Sequence, residues 1–208
     1  MKILLIGATG MIGSRVLNEA AARGHEVIAG ARNADAVAKG KGVTAIVVDV
    51  ADAEQVAGLA RGVDVIVSAV SPRSTDDAMT EATGNAAALM QAAKAVGKRL
   101  LVVGGAGSLM TPEGASVADH VPDMYKAEAK AMRAVKDLLV GSDVDWTYFA
   151  PAGMIEPGAR TGKFRLGGTV IVANAAGDSA ISAEDYAVAL VDELETPANR
   201  KAVMTIGY

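Results

Sequence analysis

Apolar positions fall along this chain in two alternating rhythms. Short β-branched runs are separated by longer, alanine-rich segments in which apolar residues recur at helical spacing. The runs predict strands over residues 2–6, 26–29, 43–48, 63–68, 99–103, 145–149 and 202–206. The segments between them predict helices over 11–23, 33–38, 53–60, 77–96, 123–140 and 183–194. Several runs are almost wholly apolar, such as Ile-Leu-Leu-Ile at 3–6 and Ala-Ile-Val-Val at 45–48. Such runs suit strands covered by helices on both faces. The alternation as a whole implies a parallel, doubly wound α/β sheet.

Two stretches lack either rhythm, 104–122 and 150–168; both are rich in glycine or proline and both follow an expected strand. Ligands of open parallel sheets collect beyond the carboxyl ends of the strands, so these loops are the expected substrate lid of a single domain spanning 1–208. Asp52 and Ser182 stand where helix caps belong. With 208 residues, about half of them hydrophobic, the chain can bury a substantial core. It has no cysteine, which excludes disulfides, a thiol nucleophile and iron-sulfur clusters. Only His25 and His120 are present, so a histidine-rich metal centre is excluded and no metal is expected. His25 lies on the side away from the strand carboxyl ends and reads as structural, His120 as an exposed loop residue. A net charge of -4 and 3% aromatic residues argue against nucleic acid as a partner. No run is long enough for a signal-peptide core or a membrane crossing, so a cytoplasmic protein with no membrane partner is expected.

The first strand runs straight into Gly7-Ala8-Thr9-Gly10-Met11-Ile12-Gly13, which opens the first helix. Glycine at 7 permits a tight turn, at 10 a close approach of backbone to a pyrophosphate, and at 13 close packing of helix on strand. The start of the helix presents free N–H groups to an anion. The strand-turn-helix context makes this a dinucleotide-binding site. Thr9 stands where the usual fingerprint has its second glycine, and the resulting spacing resembles the short-chain dehydrogenase/reductase superfamily. After the second strand come Gly30-Ala31-Arg32-Asn33, with no acid before Asp35. An acid there bonds a ribose 2'-hydroxyl and an arginine accommodates a 2'-phosphate, so Arg32 favours NADP(H), with Arg15 as a second cation. Asp49 and Val50 flank the adenine, unless Asp49 caps the helix that follows.

Further stretches narrow the resemblance to one atypical branch of that superfamily, the NAD(P)H-dependent flavin reductases related to biliverdin IX-beta reductase and NmrA-like proteins. They are Ala31 to Asn33, Val102 to Leu109, Asp145 to Ala152, Arg160-Thr161-Gly162 and Ile181 to Ala187. The resemblance implies a Rossmann-like domain. It also implies that Ser68, Ala69, Val70 and Ser71 pass beneath the pyrophosphate and ribose, and that Gly104, Gly105 and the glycine at 107 lie beside the nicotinamide ribose. Pro151 to Ile155 would hold the carboxamide. The glycines have a physical reading of their own, since a side chain there would obstruct a flat cofactor.

Typical members of the superfamily protonate substrate with a serine after the fifth strand and a tyrosine followed four residues on by a lysine. Here Ser108 and Tyr125 take the first two places, and the residue four after Tyr125 is Ala129. Lys126 and Lys130 lie about 100° and 140° round a helix from Tyr125, so neither shares its face. Nothing obvious then lowers the phenol pKa toward working pH. A flavin or quinone acceptor needs less protein acid than a carbonyl does, because the conjugated ring is already an electron sink. Met110, Met124 and Met154 fall in the lid loops and offer an adaptable wall for a flat ligand, or fill gaps in the core. The expected function is NADPH-dependent reduction of a small-molecule acceptor, a flavin or quinone. The alternative is a non-catalytic NADP(H) sensor of the NmrA-like kind; epimerase or dehydratase work is disfavoured by the short substrate region.

Overall fold

A computed structural model describes residues 1–72 and 76–208 of the chain. The first half is regular strand-helix alternation: β1 (Lys2–Ile6), α1 (Met11–Ala22), β2 (Glu26–Ala31), β3 (Val43–Val47), α2 (Ala53–Ala60), β4 (Val65–Ser68), α3 (Ala78–Val96) and β5 (Arg99–Val103). The second half is looser. It holds α4 (Asp123–Val140), β6 (Trp146–Ala150), β7 (Met154–Glu156), β8 (Arg165–Gly167), β9 (Ala180–Ser182), α5 (Ala183–Glu195) and β10 (Ala202–Gly207). The main sheet has the order β3-β2-β1-β4-β5-β6-β10-β8, parallel except for β8, which runs antiparallel to β10. β7 and β9 pair separately. This is the expected Rossmann-like doubly wound fold. Strand order reverses between β1 and β4, which opens a crevice at their carboxyl ends.

The alternation of side chains along each strand divides the interior into two cores. Ile3, Leu5, Val67, Leu101 and Val103 pack on α1 and α5, through Val16, Leu17, Tyr186 and Leu190. Leu4, Ile6, Ile66, Leu100 and Val102 pack on α2, α3 and α4, through Val56, Leu89 and Val135. Both faces of the central strands are thus covered, which is why their sequences read as unbroken apolar runs. β3 departs from the expectation: it is the edge strand, Ala45 is exposed, and Val47 is 62% exposed. Its apolar run reflects strand propensity more than burial.

The 33–38 segment, expected as a helix, forms only a 3-10 turn at Ala34–Ala36, capped by the Asn33 side chain. It has no buried residue, and one turn without tertiary packing does not sustain an α-helix. The caps at Asp52 and Ser182 form, accepting from the backbone N–H groups of Gln55 and Asp185 at 2.9 and 3.0 Å. His25 is held at Nε2 by Glu195, at 2.8 Å, and at Nδ1 by the amino terminus, at 3.3 Å. His120 is exposed. Among the described residues no helix is long and apolar enough to cross a membrane.

Candidate functional site

The turn after β1 is built from backbone and from missing side chains. Gly7 has φ +89°, and the N–H groups of Gly7 and Ala8 both donate to the Gly30 carbonyl, at 2.9 and 3.2 Å. A Cβ at Gly7 would lie 2.5 Å from the Ala69 carbonyl oxygen, and one at Gly13 would lie 2.0 Å from that of Gly7. Those two glycines are therefore required by the protein's own packing, as the tight turn and the helix-strand contact demand. Gly10 differs: a Cβ there meets nothing nearer than 3.4 Å, and the residue lines the cavity. The first helical hydrogen bond of α1 is Ser14 N–H to Gly10 C=O, at 2.9 Å, so the N–H groups of Met11, Ile12 and Gly13 have no partner within the helix. Gly10 makes no side-chain cap and the first turn carries no acid. Met11 is 41% exposed and Gly13 is buried, so what this turn offers an anion is its N–H groups rather than its side chains.

Beyond this turn lies a cavity of about 420 Å³. Gly7, Thr9 and Gly10 form one part of it, Ala31 and Arg32 from the end of β2 another, and Val48, Asp49 and Val50 a third. Ala69, Val70 and Ser71, after β4, complete the side that sequence reasoning anticipated. Asp49 lines the cavity and also caps locally, its carboxylate accepting from Ala51 N–H at 3.0 Å. Sequence reasoning missed Glu81 and Asn85 of α3, which line the same cavity. Their signal was available: they stand four apart, on one face of an otherwise alanine-rich helix. Arg15, expected as a second cation, is not among the residues that line the cavity. Its guanidinium donates to Glu184, at 2.9 Å, and to the Met11 carbonyl, at 3.1 Å.

The loop after β5 is organised from behind. The Tyr148 hydroxyl lies 2.6 Å from the Ser108 hydroxyl, donates to the Met132 carbonyl at 2.9 Å and accepts from Gly105 N–H at 3.0 Å. Ser108 is 4% exposed and sits in this buried cluster. Burial pushes the Tyr148 phenol up to about 12. A Cβ at Gly104 would stand 2.2 Å from the Tyr148 ring, and one at Gly107 2.6 Å from Ala129 Cβ. The packing of β6 and α4 against this loop therefore already excludes side chains there, whatever lies on its outer side. Gly105 is looser, with Met132 at 3.3 Å. Tyr125 is half exposed in the first turn of α4, beside an ion pair of Lys126 with Asp123 at 2.6 Å. It is not brought to Ser108's cluster. Pro151 is buried, and Ile155 pairs with Ile181 in the small sheet. Met110 is half-buried, while Met124 and Met154 are mostly exposed.

A strap over residues 157–162 is tied down by three carboxylates. Glu19 of α1 accepts twice from Arg160, both at 2.8 Å, and also from Arg23. The Arg160 bonds, acting against burial and joined by Arg23, hold the Glu19 carboxyl down to about 2. Glu184 accepts from Gly158 N–H at 2.6 Å. Asp185, fully buried, accepts from Thr161 N–H at 2.7 Å, from Gly162 N–H and Tyr208 O–H at 2.8 Å, and from the Thr161 hydroxyl. Burial alone would raise the Asp185 pKa, and these bonds bring it below the usual carboxylate range. The acidic start of α5 is thus a clamp on the strap. The neighbouring Tyr186 stacks on Phe149 at 4.2 Å and donates to its carbonyl at 2.6 Å.

Comparison with known proteins agrees with this geometry. The chain is 37% identical to the Bacillus subtilis protein YwnB, over 99% of this chain and 98% of that one. It is 30% identical to a Streptomyces 3-diazoavenalumate denitrifying reductase, over 82% of this chain and 61% of the relative. A solved structure named as a candidate NADH-flavin reductase from Streptococcus pneumoniae superposes with a TM-score of 0.86 at 32% identity, covering 100% of this chain and 99% of that one. The family model for NAD(P)H binding matches residues 7–197, from the first glycine of the turn to just past α5. The bare helix start, the glycine turn and the cavity between β2 and β4 have the form such a cofactor needs, and the chain belongs to the NAD(P)H-binding family, of oxidoreductase type.

Proposed function

We propose that the chain is a reductase that prefers NADPH and reduces a flavin, quinone or similar conjugated small molecule. The observation that carries the cofactor preference is Arg32, which lines the cavity at the end of β2 with no acid at that strand end. A guanidinium suits a 2'-phosphate, and a carboxylate there would repel it. Met11, Ile12 and Gly13 would bind the pyrophosphate through their N–H groups, with Thr9 and Gly10 at its side, and Asp49 and Val50 would flank the adenine. Ala69, Val70 and Ser71 would form the wall that follows, and Gly104, Gly105, Pro151 and Ile155 belong to the nicotinamide end. Bound there, the reduced cofactor supplies hydride, and the acceptor takes its proton from solvent.

The residues expected to act on substrate take different parts in this reading. Ser108 positions the 104–108 loop through Tyr148, and its hydroxyl is engaged there. Tyr125 has no lysine on its face and lies half exposed, so it lines the approach without serving as an obligatory acid. That absence favours an acceptor that needs none, and the reductase names of two relatives, one a flavin reductase and the other acting on a diazo compound, point the same way.

The test is stopped-flow oxidation of NADPH and NADH with FMN, a benzoquinone and a simple ketone. Turnover of FMN or quinone with NADPH, faster than with NADH, is expected. Ketone reduction alone would overturn the acceptor class, and equal affinity for the two cofactors would overturn the role of Arg32. Tight NADPH binding with no turnover of any acceptor would assign the chain to the sensor reading.

A further inference from the structure

The dinucleotide cavity adjoins a recess of about 20 Å³ between the end of β4 and α3, and the two share Val70, Ser71 and Asn85. On its inner side the recess is closed by apolar groups, Leu89, Val102, Met132 and Val135. It is too small for a ring and large enough for one water molecule, which needs about 10–15 Å³. Its polar groups are Ser68, Ser71 and Asn85. Ser68 is only 3% exposed as a residue and, with Asn85, lines the recess, and among the described residues no hydrogen bond is recorded for its hydroxyl or for the Asn85 amide. A hydroxyl so little exposed gains from a water partner in the recess, and a half-buried asparagine amid the alanines of α3 is a poor choice for helix stability alone. A single water with two to four polar partners satisfies such groups.

We infer that Ser68, Ser71 and Asn85 form an inner water subsite of the dinucleotide cavity, in which one water bridges the Ser68 hydroxyl and the Asn85 amide and offers a hydrogen bond to the bound dinucleotide. Asn85 is then a cofactor-binding residue, acting through that water. The inference rests on reading the cavity as the dinucleotide site.

Titration calorimetry with NADPH and with 2'-phospho-ADP-ribose, which lacks the nicotinamide, tests it on the full chain. Asn85→Ala should weaken both ligands about tenfold, the scale of one lost hydrogen bond, with a melting temperature no lower than the native chain's. Ser68→Ala should weaken both about threefold or more. Because the two residues share one water, the double variant should bind no more weakly than Asn85→Ala. Asn85→Leu, which fills the recess with apolar atoms, should match or exceed the alanine loss. Native-like binding by Asn85→Ala, or losses that multiply in the double variant, would overturn the shared water. Failure of the native chain to bind either ligand would instead overturn the reading of the cavity itself.

Discussion

Two helices, α1 and α5, pack together on one face of the sheet, and they begin in opposite ways. α1 starts at a glycine with no side-chain cap and no acid in its first turn. α5 starts at Ser182, whose side chain caps Asp185 N–H, and carries Glu184 and Asp185 in its first turn. At α5 the chain's own carboxylates receive the strap, and the Ser182 side chain caps the helix. At α1 the capping residue, Gly10, lines a cavity and the first turn brings no acid of its own. A helix start completed by its own sequence is scaffolding, whereas one left incomplete beside a cavity is a place for a ligand.

The contrast fails if the two starts respond alike to mutation. Gly10→Val should abolish dinucleotide binding, followed by cofactor fluorescence, while the melting temperature holds, because Gly10 lines the cavity and a Cβ there meets no atom nearer than 3.4 Å. Asp185→Asn should do the reverse. It weakens a buried carboxylate that four donors share, so a loss of about 2–3 kcal/mol in denaturant unfolding is expected, with cofactor binding largely kept. If Gly10→Val unfolds the chain or Asp185→Asn abolishes binding, the division between ligand site and scaffold is wrong.

Smaller effects sharpen the same division. Arg32→Ala should weaken NADPH by about 1–3 kcal/mol and leave NADH unchanged, read as paired dissociation constants. Glu19→Gln releases the strap from Arg160 and should cost about 1 kcal/mol, reduced by the solvent around that ion pair. The Glu19 carboxyl is held down to about 2 in the folded chain. Its contribution is therefore full above the ordinary carboxylate pKa near 4.5 and is lost as pH falls through 2. The stability difference between native and variant should be constant from pH 7 to about 5 and vanish toward pH 2. Tyr125→Phe should change FMN reduction least, by less than about threefold, where an obligatory acid would contribute a hundredfold or more.

Local pattern made the first half of the molecule legible. The glycine turn needs only its own residues and the strand beside it, so spacing and context revealed it before any tertiary contact was known. β7, β8 and β9 did not show in the sequence, because each spans three residues and is defined by a distant partner. Asn85 escaped notice although it and Glu81 stand four apart on one face of an alanine-rich helix, because that spacing marks a polar face without saying that the face meets a cavity. Gly104 was legible as a position that forbids a side chain, but the forbidding group in the structure is the Tyr148 ring. Ser108 carried the residue type of a catalytic serine, and only the three-dimensional arrangement shows its hydroxyl engaged by Tyr148.

The bare start of α1 also makes the chain's stability a function of its surroundings. Any species that binds the folded form alone shifts unfolding by mass action, by about 2.7 kcal/mol at a hundredfold excess over its dissociation constant. A helix that ended its own N–H groups would be indifferent to the nucleotide pool. This one should melt later when that pool is full and earlier when it is drained, so that its lifetime in a protease-rich setting would follow cofactor supply before any acceptor has been reduced.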